Sequence, residues 1–326
     1  MYDVYCTTRS IVCEPEEDKK VALRYALYPG CAARGATPEL YQSTMAIIGR
    51  LGIEVVELAA ASCCGAGVVS EADPEVALAL NARTFAQAEQ LGLDVMTICG
   101  TCQGIMGAAN KRLKAEPALL KRINGVLEKD GIAYRGTIQV KHLLWIVVRE
   151  VGLGRLGDQV RVPFADFRIA PFYGCYILRP SWDLGFDDPE QPSSLEKVIR
   201  AVGGEPVTYA GRTKCCGFPI ILEKEAIAVA MAGTNMKEAK EEGADFMVTP
   251  CPLCHMSPDI YQERAGRAVK TPLELPILHL PQLLGLAMGI PAKDLGTARH
   301  LVPVDAIIRT LERRETPSQA SKGVHS

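Results

Sequence analysis

Residues 94–102 read DVMTICGTC, and residues 246–254 read FMVTPCPLC. In each stretch a short apolar run leads into a C-x-x-C pair, and a longer mixed segment follows. Apolar runs this short are strand-length rather than helix-length. The first stretch predicts a strand over Asp94 to Ile98 and a helix that begins at Cys99-Gly100-Thr101-Cys102. The second predicts a strand over Phe246 to Thr249 ahead of Cys251 and Cys254.

Working outward, both stretches sit in the same frame. A vicinal pair precedes each C-x-x-C with a spacer of 34 residues, as Cys63-Cys64-Gly65 and Cys215-Cys216-Gly217. Further upstream stands a single cysteine, Cys31 in the first copy and Cys175 in the second, with spacers of 31 and 39 residues. The eight extra residues of the second copy fall between Arg179 and Pro192, in a loop rich in Pro, Asp and Gly.

The segments between the cysteines alternate in type. Strands are expected over Val21 to Tyr28 and Ile53 to Leu58, and helices over Pro38 to Leu51 and Pro74 to Leu91, the latter with Asp73 as N-cap. Ile138 to Val151 reads as the helix that closes the first half, with Trp145 and His142 packed inside it. In the second half, strands are expected over Phe167 to Tyr173, Pro206 to Tyr209 and Ile277 to Leu280. Helices are expected over Ser194 to Val202, over Glu223 to Glu242 and from Pro281. Short apolar strands alternating with helices predict an α/β fold: two pseudo-symmetric Rossmann-like halves with parallel sheets. The expected division is an extension over 1–20, halves over 21–160 and 161–311, and a disordered tail over 312–326. Each cysteine group then follows a strand at its carboxyl end, the rim where open α/β sheets bind ligands.

Thiolates are soft ligands, and all-thiolate sites select zinc or iron-sulfur clusters. Adjacent residues are only about 3.8 Å apart between α-carbons, so a vicinal pair is poorly placed for two corners of one small tetrahedron. It can reach two neighbouring irons of a larger cluster, and a fifth thiolate exceeds what one zinc takes. At the predicted helix starts, free N–H groups and the helix dipole favour thiolate. Disulfide pairing and plain core packing are the competing readings for the 12 cysteines. Core packing or partner contact suits Cys6 and Cys13, which stand outside the repeat.

The cysteine pattern resembles the CCG domain, the cysteine-rich module present twice in the B subunit of heterodisulfide reductase. The resemblance extends to Gly174-Cys175, Leu178-Arg179-Pro180, Phe186-Asp187-Asp188-Pro189-Glu190 and Cys251-Pro252-Leu253-Cys254-His255-Met256, and it covers about residues 21–291. It implies two noncubane [4Fe-4S] clusters. One would be held by Cys31, Cys63, Cys64, Cys99 and Cys102, the other by Cys175, Cys215, Cys216, Cys251 and Cys254. It further implies a disulfide or carrier-bound sulfur substrate between the clusters. The implied partners are the iron-sulfur C subunit and the flavoprotein A subunit of such a complex. Tyr176 departs from the family, where histidine often follows the first cysteine of the second module. A succinate or fumarate oxidoreductase uses the same module beside a flavoprotein, and that is the alternative assignment.

His255 directly follows Cys254 and has two readings: a functional one, as proton donor to a departing thiolate or as hydrogen-bond donor to cluster sulfur, or a solvent-exposed residue at a helix start. Arg34, Arg179 and Lys214 lie close to ligand positions and read either as surface charges or as groups offsetting cluster charge.

Composition narrows the function classes. The 326 residues are 48% hydrophobic and 23% charged with a net charge of -2, which gives no basic stripe for nucleic acid. No G-x-G-x-x-G follows a strand and no Ser-His-Asp set has a recognisable spacing, so neither a nucleotide site nor a hydrolytic triad is expected. The start, Met1 to Cys13, lacks the pattern of a signal peptide. The longest apolar stretch, Leu275 to Ala292, is interrupted by Pro276, His279, Pro281 and Pro291, so no membrane span is expected. A cytoplasmic location is the corresponding expectation.

Overall fold

A computed structural model describes residues 23–315. The first half runs β1 (Leu23–Tyr28), α1 (Gly30–Gly35), α2 (Pro38–Ile48), β2 (Ile53–Glu57), α3 (Val68–Ala72), α4 (Pro74–Gln90), β3 (Asp94–Thr97), α5 (Gly100–Ala115), α6 (Pro117–Leu127), β4 (Val140–His142), α7 (Leu143–Ile146) and α8 (Leu153–Asp158). The second runs β5 (Arg168–Pro171), α9 (Ser181–Leu184), α10 (Ser194–Ala201), β6 (Glu205–Pro206), α11 (Glu225–Glu241), β7 (Phe246–Thr249), α12 (Pro252–Ile260), α13 (Gln262–Ala268), β8 (Ile277–His279), α14 (Leu280–Ala287) and α15 (Asp305–Glu315).

Each half forms a four-stranded, wholly parallel sheet, in the orders β2-β1-β3-β4 and β6-β5-β7-β8. The chain leaves β1 to one side for β2 and returns past it to β3. The strand order therefore reverses between β1 and β3, and again between β5 and β7. A crevice opens outside the carboxyl ends at such a reversal.

Successive strand residues point to opposite faces. Leu27, Met96, Ile169 and Phe246 face one apolar core, while Ala26, Val95, Ala170 and Met247 face another. Both cores take residues from both halves. The first core holds Leu40 of α2 with Leu283 of α14, and Ile146 of α7 with Val198 of α10. The Arg161 amide donates to the Ala287 carbonyl at 2.8 Å, tying the linker after α8 to the end of α14.

Helix starts follow the expected chemistry. Asp73 caps α4, accepting from the amides of Glu75 and Val76 at 3.1 Å each. Proline opens α2, α4, α6 and α12, where its missing N–H has no intrahelical partner to lose.

Three expectations need correction. Ile138 to Val151 is not one helix: Val140–His142 pairs with β3 as the fourth strand, then α7 and a π-helical turn over Val147–Gly152 follow. The strand expected over Pro206 to Tyr209 is a two-residue bridge at Glu205–Pro206, because the chain bends at once into a short turn of helix over Ala210–Thr213. The disordered tail expected from 312 begins inside α15, which continues to Glu315 and buries Ile307 and Leu311 on one face. The extension over 1–20, Cys6 and Cys13, and residues beyond 315 lie outside the described residues. Trp145 is packed as expected, stacking on Phe186 of the second half with ring centroids 4.8 Å apart.

Candidate metal centre

All ten repeat cysteines are free thiols placed after the carboxyl ends of strands. In the first half Cys31 follows β1, the vicinal pair follows β2, and Cys99 is the N-cap of α5. Cys99 accepts from the amide of Cys102 at 3.5 Å, using one of the donors that a helix start leaves free. Cys251 is the N-cap residue of α12, without a side-chain cap bond of this kind.

The vicinal residues take different partners. Cys63 Sγ lies 3.8 Å from Cys31 Sγ, on the exposed side. Cys64 Sγ lies 3.6 Å from Cys102 Sγ, on the buried side. The second half repeats the split, Cys215 hydrogen bonding with Cys175 and Cys216 with Cys254. The members of each pair also bond to each other, and Cys99 bonds to Cys102, so the five thiols form two arms joined at the vicinal pair and exceed the four corners of one ion. The amides of Gly65 and Gly217 each donate to the first thiol of their pair at 3.4 Å.

These contacts set the acidities. Hydrogen bonds from Cys31 and Cys64, against the effect of burial, hold the Cys63 thiol down at about 2. Hydrogen bonds from Cys175 and Cys216 hold Cys215 at about 3. Burial pushes the Cys251 thiol up, and hydrogen bonds from Cys254, Cys99 and Thr101 more than reverse this. Their partners go the other way: the hydrogen bonds to Cys63 and Cys215 push the Cys31 and Cys175 thiols up, and those to Cys64 and Cys216 push Cys102 and Cys254 up. Ligation of a soft metal takes thiolates, which these contacts favour at Cys63, Cys215 and Cys251.

The two sets meet. Cys99 Sγ and Cys251 Sγ are 3.9 Å apart, and the Gly100 amide donates to the Pro250 carbonyl at 3.2 Å. Two glycines make room for sulfur. Gly30 and Gly174 have φ of +80° and +70°, and a Cβ at either would stand 3.2 Å from Cys102 Sγ or 2.4 Å from Cys254 Sγ. The donor set, its division into arms and these sulfur-facing glycines fit polynuclear iron-sulfur centres.

A cavity of about 620 Å³ opens beside the second set, walled by Cys175, Tyr176, Arg179, Trp182, Glu190 and Cys215. Pro180, Ser181, Trp182, Pro189 and Glu190 of this wall come from the loop between Arg179 and Pro192 that lengthens the second copy. Trp182 is 76% exposed on its rim. The Tyr176 hydroxyl is pushed up by burial first, then by the Cys175 thiol, Glu71, Cys215 and Cys64, so it is within electrostatic reach of both sets.

The charged residues near the ligands are engaged. Arg34 pairs with Glu57 at 2.6 Å, Lys214 with Glu238 at 3.1 Å, and Arg179 with Glu190 at 2.8 Å while donating to the Thr213 carbonyl. His255 is not exposed, contrary to one of its two readings: it is 2% accessible, and its Nε2 is 3.1 Å from the Ile277 carbonyl and 3.2 Å from His300 Nδ1. Sequence reading did not single out His279, His300 or Glu39, which surround it. The available signal was the His-Leu pair repeated at the ends of β4 and β8, as His142-Leu143 and His279-Leu280.

Fold and thiol geometry together define a two-module, cysteine-rich α/β protein with a five-thiol set in each module. The CCG cysteine-rich domain family matches at residues 25–107 and 169–257. The chain belongs to that family, within the group of proteins similar to the heterodisulfide reductase B subunit. It is 40% identical over 85% of its length to the 8-methylmenaquinol:fumarate reductase membrane anchor subunit of Wolinella succinogenes, covering 96% of that protein. It is 30% identical over 86% of its length to the B subunit of a ferredoxin/F(420)H(2)-dependent CoB-CoM heterodisulfide reductase of Methanosarcina acetivorans, covering 94% of it. A hypothetical protein from Helicobacter pylori shares the fold, with a TM-score of 0.68 at 17% identity over 86% of this chain and 52% of that one. Among the described residues no helix is long and apolar enough to cross a membrane.

Proposed function

We propose that this chain is the iron-sulfur electron-transfer component of a multisubunit oxidoreductase of the heterodisulfide reductase type, acting on a disulfide or persulfide. Cys31, Cys63, Cys64, Cys99 and Cys102 would hold one noncubane [4Fe-4S] cluster. Cys175, Cys215, Cys216, Cys251 and Cys254 would hold the second. The observation that carries the reading is the division of each vicinal pair between two thiol partners, Cys63 with Cys31 and Cys64 with Cys102. When bound, two one-electron centres supply the two electrons that, with two protons, cleave a disulfide into two thiols.

The chain's residues provide the setting. The cavity at Cys175 and Cys215 gives a small sulfur compound access to the second set. Trp182 offers it an apolar face, and Arg179 places a guanidinium beside the wall. We assign electron supply to an iron-sulfur C subunit and a flavoprotein A subunit, and place the chain in the cytoplasm, where thiols stay reduced.

A second reading rests on the 40% identity to a fumarate reductase subunit, which exceeds the 30% to a heterodisulfide reductase subunit. In it the same ten thiols serve a quinol:fumarate enzyme. One experiment separates the two. Chain purified anaerobically, carrying about eight irons, is reduced with dithionite and then mixed with a low-molecular-weight disulfide or with a menaquinone analogue. Low-temperature EPR follows re-oxidation. Re-oxidation by the disulfide supports the first reading, and re-oxidation by the quinone alone supports the second. A chain that binds no iron overturns both.

A further inference from the structure

A group of polar side chains lies under α12, apart from the ten thiols. Glu39 comes from α2 in the first half, while His255 on α12 and His279 at the start of α14 come from the second. All three are nearly inaccessible, at 5%, 2% and 0%. The rings of His255 and His279 stack with centroids 3.8 Å apart, and His279 Nε2 is 3.3 Å from Glu39 Oε1. One ligand atom from each of the three lies within 4.8 Å of the others.

The hydrogen bonds around them fix where the protons are. Gln282 donates through Nε2 to the Leu295 carbonyl at 3.2 Å, so its Oε1 is the acceptor for the His279 amide and for His300 Nε2. His300 therefore carries its proton on Nε2, and its Nδ1 presents a lone pair to His255 Nε2. His255 Nε2 is then the donor, shared between His300 and the Ile277 carbonyl. That leaves His255 Nδ1 a bare lone pair, buried and without a partner. Glu39 poses a matching problem. Among the described residues its only ion-pair partner is His279, and a buried carboxylate needs a cation. A neutral His279 that donates to Glu39 through Nε2 leaves the carboxylate without a cation and the His255 lone pair without a partner.

We propose that Glu39, His255 and His279 bind one divalent cation, with zinc the ion their ligand atoms suit. Two imidazoles and a carboxylate form a recurrent zinc set. Zinc bonds of about 2.0–2.1 Å would draw the three atoms to roughly 3.3 Å apart in a tetrahedral site, and the His279–Glu39 pair already has that spacing. An adjoining trio, His255, Asp259 and His300, meets the same distance criterion. Its Asp259 is occupied by the amides of Leu301 and Val302, and its His300 is held by Gln282, so the first trio is the site. The ion would fasten α2 of one half to α12 and α14 of the other.

The test uses the full chain, purified anaerobically from cells given both iron and zinc. Metals are counted by mass spectrometry and the zinc environment is read by X-ray absorption. The expected result is about one zinc per chain with only nitrogen and oxygen neighbours. Glu39→Gln and His279→Gln should lower retained zinc at least about tenfold after dialysis against EDTA, with iron and its EPR signal unchanged. The proposal is overturned if the wild-type chain holds under about a tenth of a zinc, if its zinc has sulfur neighbours, or if both variants retain it. Should the variants fail to fold, the wild-type zinc count and spectrum decide alone. Because iron and zinc are read separately, loss of this site and failure of the iron-sulfur assignment are distinct outcomes.

Discussion

Cys63 and Cys216 each stand in a vicinal pair whose two members serve different arms, so neither has a neighbour that can replace it. Oxygen is the harder donor, and Cys63→Ser or Cys216→Ser should remove or convert the corresponding iron centre. Iron per chain should fall by up to about half in either variant, measured beside the EPR spectrum; full retention of iron and spectrum would refute the ligand assignment. Gly174→Ala tests the space around sulfur. A methyl group there would sit 2.4 Å from Cys254 Sγ on a backbone at φ +70°, where L-residues are strained. Loss of iron from the second set, with the first intact, is the expected outcome. At this scale the sequence was most informative. The grouping of ten thiols was legible from spacing alone, because such a set needs only that the strand ends be close. The buried Glu39–His279 contact was not legible, since 240 residues separate its partners and no repeat marks Glu39.

Helices and strands carry these residues, and one helix contact is unusually close. A Cβ at Gly104 of α5 would lie 2.5 Å from the Tyr176 carbonyl, backbone against helix. Gly104→Ala should therefore push the Cys175–Tyr176 segment off α5 and destabilise the chain by about 1–3 kcal/mol despite the better helix propensity of alanine. Thermal or denaturant unfolding measures this; an unchanged or raised midpoint would mean that the segment yields freely. The elements misread from sequence share a physical cause. Val140-Lys141-His142 runs without a break into Leu143, and its apolar positions suit a helical period as well as a strand, so only pairing with β3 distinguishes them. The bridge at Glu205–Pro206 ends once the Val207 amide has donated to the Ile169 carbonyl at 2.9 Å, where the chain turns toward the short helix over Ala210–Thr213. In α15 the charged end concealed an apolar face, although Ile307 and Leu311 at i and i+4 were its available signal.

For the molecule as a whole, the two apolar cores matter more than the division into halves. Each core is built from both, so residues 23–160 or 161–315 expressed alone would expose Leu40, Ile146, Val198 or Leu283 to water. We expect either piece to keep helical far-UV dichroism, lose near-UV dichroism and bind ANS. A cooperative thermal transition in an isolated half would show instead that the boundary near residue 160 separates independent domains. The repeat made a two-part molecule legible, but nothing in the repeat disclosed that the parts share their interiors.

The near-twin sites differ in their surroundings. Cys31 and Cys63 lie exposed at the surface, whereas Cys175 and Cys215 border a cavity walled in part by the loop that lengthens the second copy. An open thiol face accommodates a broad protein surface, and a recess accommodates a small molecule. Joined back to back at Cys99 and Cys251, the two sites give the molecule unlike terminals, one open and one recessed. A nearly symmetric chain thereby acquires a polarity, and under the proposed function that polarity would set the axis of electron transfer.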